Sequence, residues 1–369
     1  MDTVPQHGAN CSLAPADLKM FARFLIPPEL LKQARVERVS DSEAREKFGI
    51  TISGDKSGVV FPYFSPLDGV RRTARLRRDH PDMEGGKARN KYVSPFGDRK
   101  HLYFPPRCAD YVKDPTVTVV VVEAEKSVLA LTAWAERTGR KILPIATGGC
   151  WGWRGQIGKK DGPDGERVDE KGPLSELTVC SDREVYVMLD ANADTQQAVR
   201  AARSVLVRVL CSYGARVRIA RVPAIPGVNG PDDLLAHGGD DAIRSVLDLA
   251  VPALESAATD AEAAIEVVRK ALPHPGVDKM RQAMDAIADV PDDLHQEVLK
   301  VYLSDALRGI IPKKRVLDEV AARVQRREQE RADSVQQLEY TTAGPVDGAQ
   351  VAEVIAGFLR LIGVNYSFP

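Results

Sequence analysis

Cysteine is scarce and scattered. The five present, Cys11, Cys108, Cys150, Cys180 and Cys211, form no Cys-x-x-Cys pair, and the six histidines do not gather beside them. A zinc ribbon needs such paired ligands and is excluded. No apolar run approaches 18 residues, and residues 1–10 lack a basic-then-apolar signal pattern. Membrane insertion and secretion are therefore not expected, and the cytoplasm is the default location. Gly158-Lys159-Lys160 puts a lysine where a Walker A loop needs Ser or Thr, with no glycine at the required spacing before it, so a nucleotide-binding P-loop is excluded. No internal repeat is visible. Excess charge is also missing: the net value is -1 across 369 residues, with a 44% apolar fraction that allows two or three domains and a sizeable core.

The most informative stretch is 116–149. A β-branched run at 117–122 follows Pro115 and ends abruptly in Glu123-Ala124-Glu125-Lys126. Such a run suits a strand buried on both faces of a parallel sheet. Val128, Leu129, Leu131, Thr132 and Trp134 then fall at helical spacing, Gly139 stops the helix, and a second apolar run covers 142–146. This is a β-α-β unit. A third run, 185–189, ends in Asp190-Ala191-Asn192-Ala193-Asp194 and leads into a helix expected over 195–213. A fourth, 216–222, precedes Gly227-Val228-Asn229-Gly230-Pro231-Asp232-Asp233. Ligands of open parallel sheets bind beyond the carboxyl ends of the strands, where these acids stand. Carboxylates gathered there repel one another, and a divalent cation is the usual remedy.

Several of these residues carry a second reading. Glu125 suits a helix amino-terminus, Asp194 suits an N-cap with Gln197 three residues on, and Asp232 and Asp233 suit an acidic first turn after Pro231. Asn192 is a metal ligand or a turn residue. Lys126 meets a phosphate or pairs with Glu123 or Glu125. Trp151 and Trp153 with Arg154 line a groove and stack on a base, or the two tryptophans belong to the core.

Upstream, short helices are expected within 14–48, the last starting at Ser42 without a proper capping box. Extended runs follow at 59–64 and 71–78, around a hairpin turn at Asp68-Gly69. From 71 to 107 there are eleven Lys/Arg against four acids, a local +7, interleaved with Tyr92, Phe96, His101, Tyr103 and Phe104. That mixture suits a phosphate backbone with stacked bases, or a solvated charged face. The stretch 155–172, rich in Gly, Asp and Lys, reads as a surface excursion. Beyond Gly239 the chain is helical, at 242–249, 257–272, 277–287, 293–307 and 315–337, with a net charge of -7 from Asp240 onward.

Taken together, EAEK at 123–126, GGCWGWR at 148–154, DAN at 190–192 and GVNGPDDLL at 227–235 resemble the Toprim domain of bacterial-type primases, topoisomerases and some nucleases. The likeness is nearest to an uncharacterised Toprim family of phages, plasmids and other mobile genetic elements, often joined to replicative helicases. It covers roughly 115–239. Ala124 replaces the usual Gly, and Asn192 replaces the second Asp of the generic pair, removing one charge. The preceding succession of VVFPYFSPLDG, RLRRD, KARNKYVSP and LYFPP resembles the basic subdomain that precedes Toprim in primase cores. The absent zinc ribbon separates the chain from full-length bacterial primases.

The resemblance implies an α/β fold, a Toprim-type parallel sheet flanked by helices, behind a small basic α+β subdomain. The expected division is 1–114 for helices and the basic subdomain, 115–253 for the Toprim-like unit, 254–340 for a helical region, and 341–369 for a linker and terminal helix. It also implies primase-like nucleotidyl transfer in DNA replication. Glu123 and Asp190 would be catalytic, and Mg²⁺ or Mn²⁺ would be held by Glu123, Asp190, Asn192, Asp232 and Asp233. Single-stranded DNA would lie on Arg71, Arg75, Arg77, Arg78, Lys87, Arg89, Lys91, Arg99, Lys100, Lys126 and Arg154, with nucleoside triphosphates as substrates and a replicative helicase as a partner. The alternatives are a Toprim metal-dependent nuclease and a catalytically silent DNA-binding or helicase-partner module.

Overall fold

The computed structural model describes residues 13–161, 166–194, 196–290 and 293–340; the linker and helix expected over 341–369 lie outside the described residues. Helices α1 (Pro15–Ala22) and α2 (Pro28–Gln33) each begin on a proline, whose fixed φ and missing N–H suit a first turn. Strand β1 (Glu37–Val39) leads to α3 (Asp41–Phe48). The cap of α3 is Ser40, not Ser42: its hydroxyl accepts from the Glu43 N–H, and the Glu43 carboxylate accepts from the Ser40 N–H. This is a full capping box, which the expected start at Ser42 placed two residues late.

Strands β2 (Gly58–Phe64), β3 (Arg71–Arg78), β4 (Asp82–Glu84), β5 (Lys87–Arg89) and β6 (Tyr92–Val93) follow. They make an antiparallel sheet of order β1-β2-β3-β6 and a separate β4-β5 hairpin. Alternation decides what each face meets. Val59, Phe61 and Tyr63 join the main core, whereas Val60, Ala74 and Leu76 pack with Phe48 of α3. Because Phe61 pairs with Arg75 and Val59 with Arg77, these two arginines share the face turned toward the rest of the molecule.

After α4 (Ala109–Lys113) come β7 (Thr118–Val122), α5 (Glu125–Thr138), β8 (Ile142–Ala146), the hairpin β9 (Arg154–Asp161) and β10 (Arg167–Pro173), β11 (Glu184–Val187), α6 (Gln197–Ser212), β12 (Arg216–Ile219), α7 (Pro231–Asp248) and β13 (Val251–Pro252). The sheet order is β13-β12-β11-β7-β8, with β12, β11, β7 and β8 parallel and β13 antiparallel at the edge. Helices cover both faces: Val120 and Val122 pack with Leu129 and Leu131 of α5 and Leu234 of α7, while Val119 and Val121 pack with Leu206 and Leu210 of α6. Tyr103 joins the two sheets. Its backbone exchanges hydrogen bonds with Ala146 at 2.9 and 3.0 Å, and its ring meets Phe61 and Tyr63 edge-on. The surface excursion expected at 155–172 is built from the paired strands β9 and β10. Helix α6 begins at Gln197 with Gln196 at the cap, so Asp194, in a 3-10 turn at Ala191–Asp194, is not its N-cap.

Helices α8 (Ala253–Lys270), α9 (Val277–Asp289), α10 (Asp293–Ala306) and α11 (Lys313–Tyr340) close the described chain around their own core, which includes Ile265, Ile287, Leu303 and Val320. Arg208 of α6 pairs with Asp289 of α9, and Arg203 and Arg221 pair with Asp260 of α8. No helix among the described residues is long and apolar enough to cross a membrane.

Candidate active site

The chain runs from β7 to β8 on one side and later returns to β11 on the other. The switch in strand order therefore falls between β7 and β11, where a doubly wound sheet opens a crevice. Glu123 follows β7, and Asp190 follows β11. The Glu123 carboxylate accepts from the Asp190 N–H at 3.2 Å, and the Glu123 carbonyl accepts from the N–H groups of Gly148 and Gly149 at 2.9 and 3.0 Å. Asn229 Nδ2 donates to Asp190 Oδ2 at 2.6 Å. Gly230 is a close-approach glycine: a Cβ there would stand 2.9 Å from Asp190 Oδ1 and 3.1 Å from Asp232 Oδ1.

The other expected ligands are partly diverted. Asp232 is buried, accepts from Ser127 Oγ at 2.5 Å and pairs with Lys126 Nζ at 2.5 Å. Asp233 accepts from the N–H groups of Asn229 and Gly230, so it caps the first turn of α7. Half-buried Asn192 lies in the 3-10 turn, and its carbonyl accepts from the Gln196 N–H at 2.8 Å. Among the described residues no three His, Cys, Asp or Glu side chains form a ready metal cage. Of the five expected ligands, Glu123 and Asp190 are joined directly, while the first turn of α7 engages Asp232 with a lysine and a hydroxyl and Asp233 with backbone donors.

Burial raises the Glu123 carboxyl above its ordinary value. Asp190 is pushed up to about 7, first by burial and then by the charges of Glu123 and Asp232, against the Asn229 hydrogen bond. The folded chain thus holds a proton on Asp190 that the unfolded chain has already released. Between about pH 4 and pH 7 the native state binds more protons, and stability from this group falls as pH rises. Asp190→Asn lacks that penalty. In chelator, its stability advantage over the natural chain should be near zero at pH 4 and reach about 2–4 kcal/mol at pH 8. Thermal melts across that range check it, and a pH-independent difference would show that Asp190 ionises normally.

The basic residues separate into groups. Arg78 is turned inward: it is buried, donates to the Asp55 carbonyl at 2.7 Å and pairs with Asp82 at 2.9 Å, so it is withdrawn from any phosphate face. Arg71 lies on the α3 side, over the Phe48 ring and bonded to the Lys47 carbonyl. Arg75 faces the second sheet but is committed to Glu125, at 3.0 Å, with its guanidinium over Tyr92. Glu125 is fully buried and also accepts from Tyr63 Oη at 2.5 Å, a link between the two sheets that spacing did not disclose. Arg89 and Arg99 are exposed, and the Lys87 side chain lies outside the described residues.

What remains is a band beside the acids. The Lys91 ammonium is held below its ordinary value by surrounding chain and by the charges of Arg77 and Lys126. Lys100 is lowered likewise, by surrounding chain and by Lys171 and Arg75. Arg77 and Lys126 are thus near enough to act on the Lys91 charge, and the positive group they make reaches Asp232 through Lys126. Arg154 stands over the rings of Trp151 and Trp153 at 5.8 and 5.5 Å. The clearest signal for this band is the alternation in β3, which puts Arg75 and Arg77 on one face.

A family model described as a domain of unknown function (DUF3854) matches residues 109–242. No curated protein matches the chain. Among solved structures, the chain is similar to the Aquifex aeolicus primase, zinc-binding and RNA polymerase domains, at 16% identity over 82% of this chain and 70% of that one, with a TM-score of 0.46. It is similar to the DnaG catalytic core at 16% identity over 82% and 93%, with a TM-score of 0.45. A third is the RNA polymerase domain of Mycobacterium tuberculosis primase DnaG with a double-stranded DNA oligomer bearing a 6-nucleotide overhang, at 17% identity over 81% and 91%, with a TM-score of 0.45. Superpositions at this level say nothing about reaction or ligand, which rest on the residues themselves.

Proposed function

We propose that this chain performs primase-like nucleotidyl transfer on a single-stranded DNA template, in the replication of a mobile genetic element. The observation that carries the proposal is the meeting of Glu123 and Asp190 at the sheet's switch point, with the Arg77, Lys91 and Lys126 band beside them. The donor set fits Mg²⁺ or Mn²⁺: two hard, largely buried carboxylates, one of them raised by the charge of the other, favour a nearby cation. Mg²⁺ sites commonly use one or two carboxylates, with waters and substrate phosphates completing the shell, so an all-protein cage is not required. When bound, the cation would neutralise triphosphate charge and favour in-line attack by a 3′-hydroxyl.

The chain's own residues do the rest. Lys126, already held by Asp232 and lying over the Phe24 ring, is presented toward phosphate, and Arg77 and Lys91 track the strand. On this reading 1–114 carries the nucleic-acid face, 115–253 the acids, and 254–340 a surface for a partner such as a replicative helicase. Incubation with single-stranded DNA, nucleoside triphosphates and Mn²⁺ tests it: lengthened product supports the proposal, and shortened template would assign the same carboxylates to a nuclease. Binding without metal dependence or product would leave a DNA-binding module.

Binding of strand makes a separate prediction. Each phosphate contact contributes about -0.7 to the slope of log affinity against log salt for single strands. Replacing Arg77 and Lys91 together by Ala should flatten that slope by about 1.4, as read by fluorescence anisotropy across a salt series. An unchanged slope would move the strand elsewhere.

A further inference from the structure

The segment after β8 holds an aromatic pair that the nucleotidyl-transfer reading does not use. Trp153 is fully buried and belongs to the core beneath β7 and β11, and its carbonyl accepts from the Leu174 N–H at 2.9 Å. Trp151 is stacked on it, with ring centroids 5.8 Å apart and planes 29° from parallel, yet stays 38% exposed. A large ring anchored on one side and open on the other leaves a π-face available to a ligand.

The support beneath this ring is rigid. Gly152 lies so close to the preceding loop that a Cβ would fall 1.8 Å from the Thr147 carbonyl oxygen, and its N–H donates to the Gly149 carbonyl at 2.8 Å. Only glycine fits at this position of the turn that carries the ring. Trp153 Nε1 and Arg154 Nε are buried without hydrogen-bond partners among the described residues, an uncommon arrangement for a turn with a purely structural role. The location is informative too. Gly148 and Gly149, in the same loop, hold the Glu123 carbonyl, and Lys100 packs beside Gly155. The loop that carries the ring thus meets the acid edge at Gly148 to Cys150 and Lys100 at Gly155.

We infer that Trp151 is a stacking platform for an unpaired nucleobase, held by Trp153 beneath and Arg154 beside it, next to the Glu123–Asp190 edge. A base offers a π-face whatever its identity, and an anchored indole with an adjacent guanidinium suits it. The inference rests on the strand-binding reading above and adds the base contact that phosphate-binding cations do not provide. The base belongs to the template strand or to an incoming nucleotide, two sources of one chemistry.

The test compares the full chain with Trp151→Ala and Trp151→Phe, after melting curves confirm that each is folded. Affinity is measured for a deoxythymidine oligomer, for an abasic oligomer of equal length, and for free thymidine triphosphate. Trp151→Ala should weaken binding of the base-bearing ligand about 5- to 150-fold, the range for one stacked base, while abasic binding and its salt slope stay unchanged. Trp151→Phe should restore most of the loss. A defect confined to the oligomer assigns the platform to the template, and one confined to the triphosphate assigns it to the incoming nucleotide. Equal loss for abasic and base-bearing strands, or no loss in any arm, overturns the platform; a salt slope still sensitive to Arg77 and Lys91 would then leave the strand-binding reading standing. Base-dependent loss in a protein that synthesises no primer would keep the platform and remove nucleotidyl transfer.

Discussion

Glu123→Gln and Asp190→Asn are each expected to lower primer synthesis on the order of a thousandfold while the fold survives. Stabilisation of developing phosphoryl charge by a bound cation is worth several kcal/mol, and each 1.36 kcal/mol is tenfold in rate. Both substitutions keep volume and remove a single charge. The Glu123 carboxylate accepts from the backbone N–H groups of Asp190 and Cys150, and Asp190 from one Asn229 amide, and an amide oxygen can take either place. Folding should therefore be preserved or improved in chelator, because each substitution removes a buried charge, and Asp190→Asn also removes its repulsion with Glu123. The natural chain should gain melting temperature when Mn²⁺ is added, and both variants should lose that gain. Full activity in either variant, or an equal Mn²⁺ response in all three proteins, would remove the acids from the site. Conversely, a variant that melts well below the natural chain would show these acids to be structural.

Much of this arrangement could be read from the residues. A β-branched run at 117–122, valine but for Thr118, had to be buried on both faces, and Val119 to Val122 are; the acids that end each strand had to reach one edge, and Glu123 and Asp190 do. What pattern could not disclose was competition among partners. Asp232 and Asp233 stand two and three positions into a helix, so spacing alone equates them, but the turn gives one to Lys126 and Ser127 and the other to backbone N–H groups. The basic run likewise looked uniform. Whether an arginine reaches solvent depends on its strand face and on acids distant in sequence. Arg78 was lost to Asp82 and Arg75 to Glu125, fifty residues away. Gln196 displaced Asp194 as the cap of α6 for a related reason, since a 3-10 turn after β11 shifted the helix start. Of these, the Arg75–Glu125 contact exists only once both sheets are in place.

That contact sets the last expectation. Glu125 at 1% exposure, Arg75 and Tyr63 form the charged link between the antiparallel sheet and the first helix of the parallel one. Burial works against the Arg75 charge, but Glu125 and Tyr63 outweigh it and hold the guanidinium above its ordinary value; burial and the Glu125 charge raise the Tyr63 phenol. Removing one partner leaves the other charge buried and alone, which costs about 3–5 kcal/mol, whereas replacing both by apolar groups of similar volume is often close to neutral. Glu125→Leu should thus lose about 3–5 kcal/mol, and Glu125→Leu with Arg75→Met should recover most of it. A double-mutant cycle on thermal or denaturant unfolding measures the coupling. Strictly additive losses would mean that the two residues act independently. The recovered double variant has a further use, because Arg77, Lys91 and Lys126 remain. If it is stable, binds single strands with an unchanged salt slope and still makes primer, the ion pair only aligns the two sheets. If it is stable but loses the salt dependence of one phosphate, Arg75 itself meets the strand despite its partner, and the face available to nucleic acid extends across the junction between the sheets.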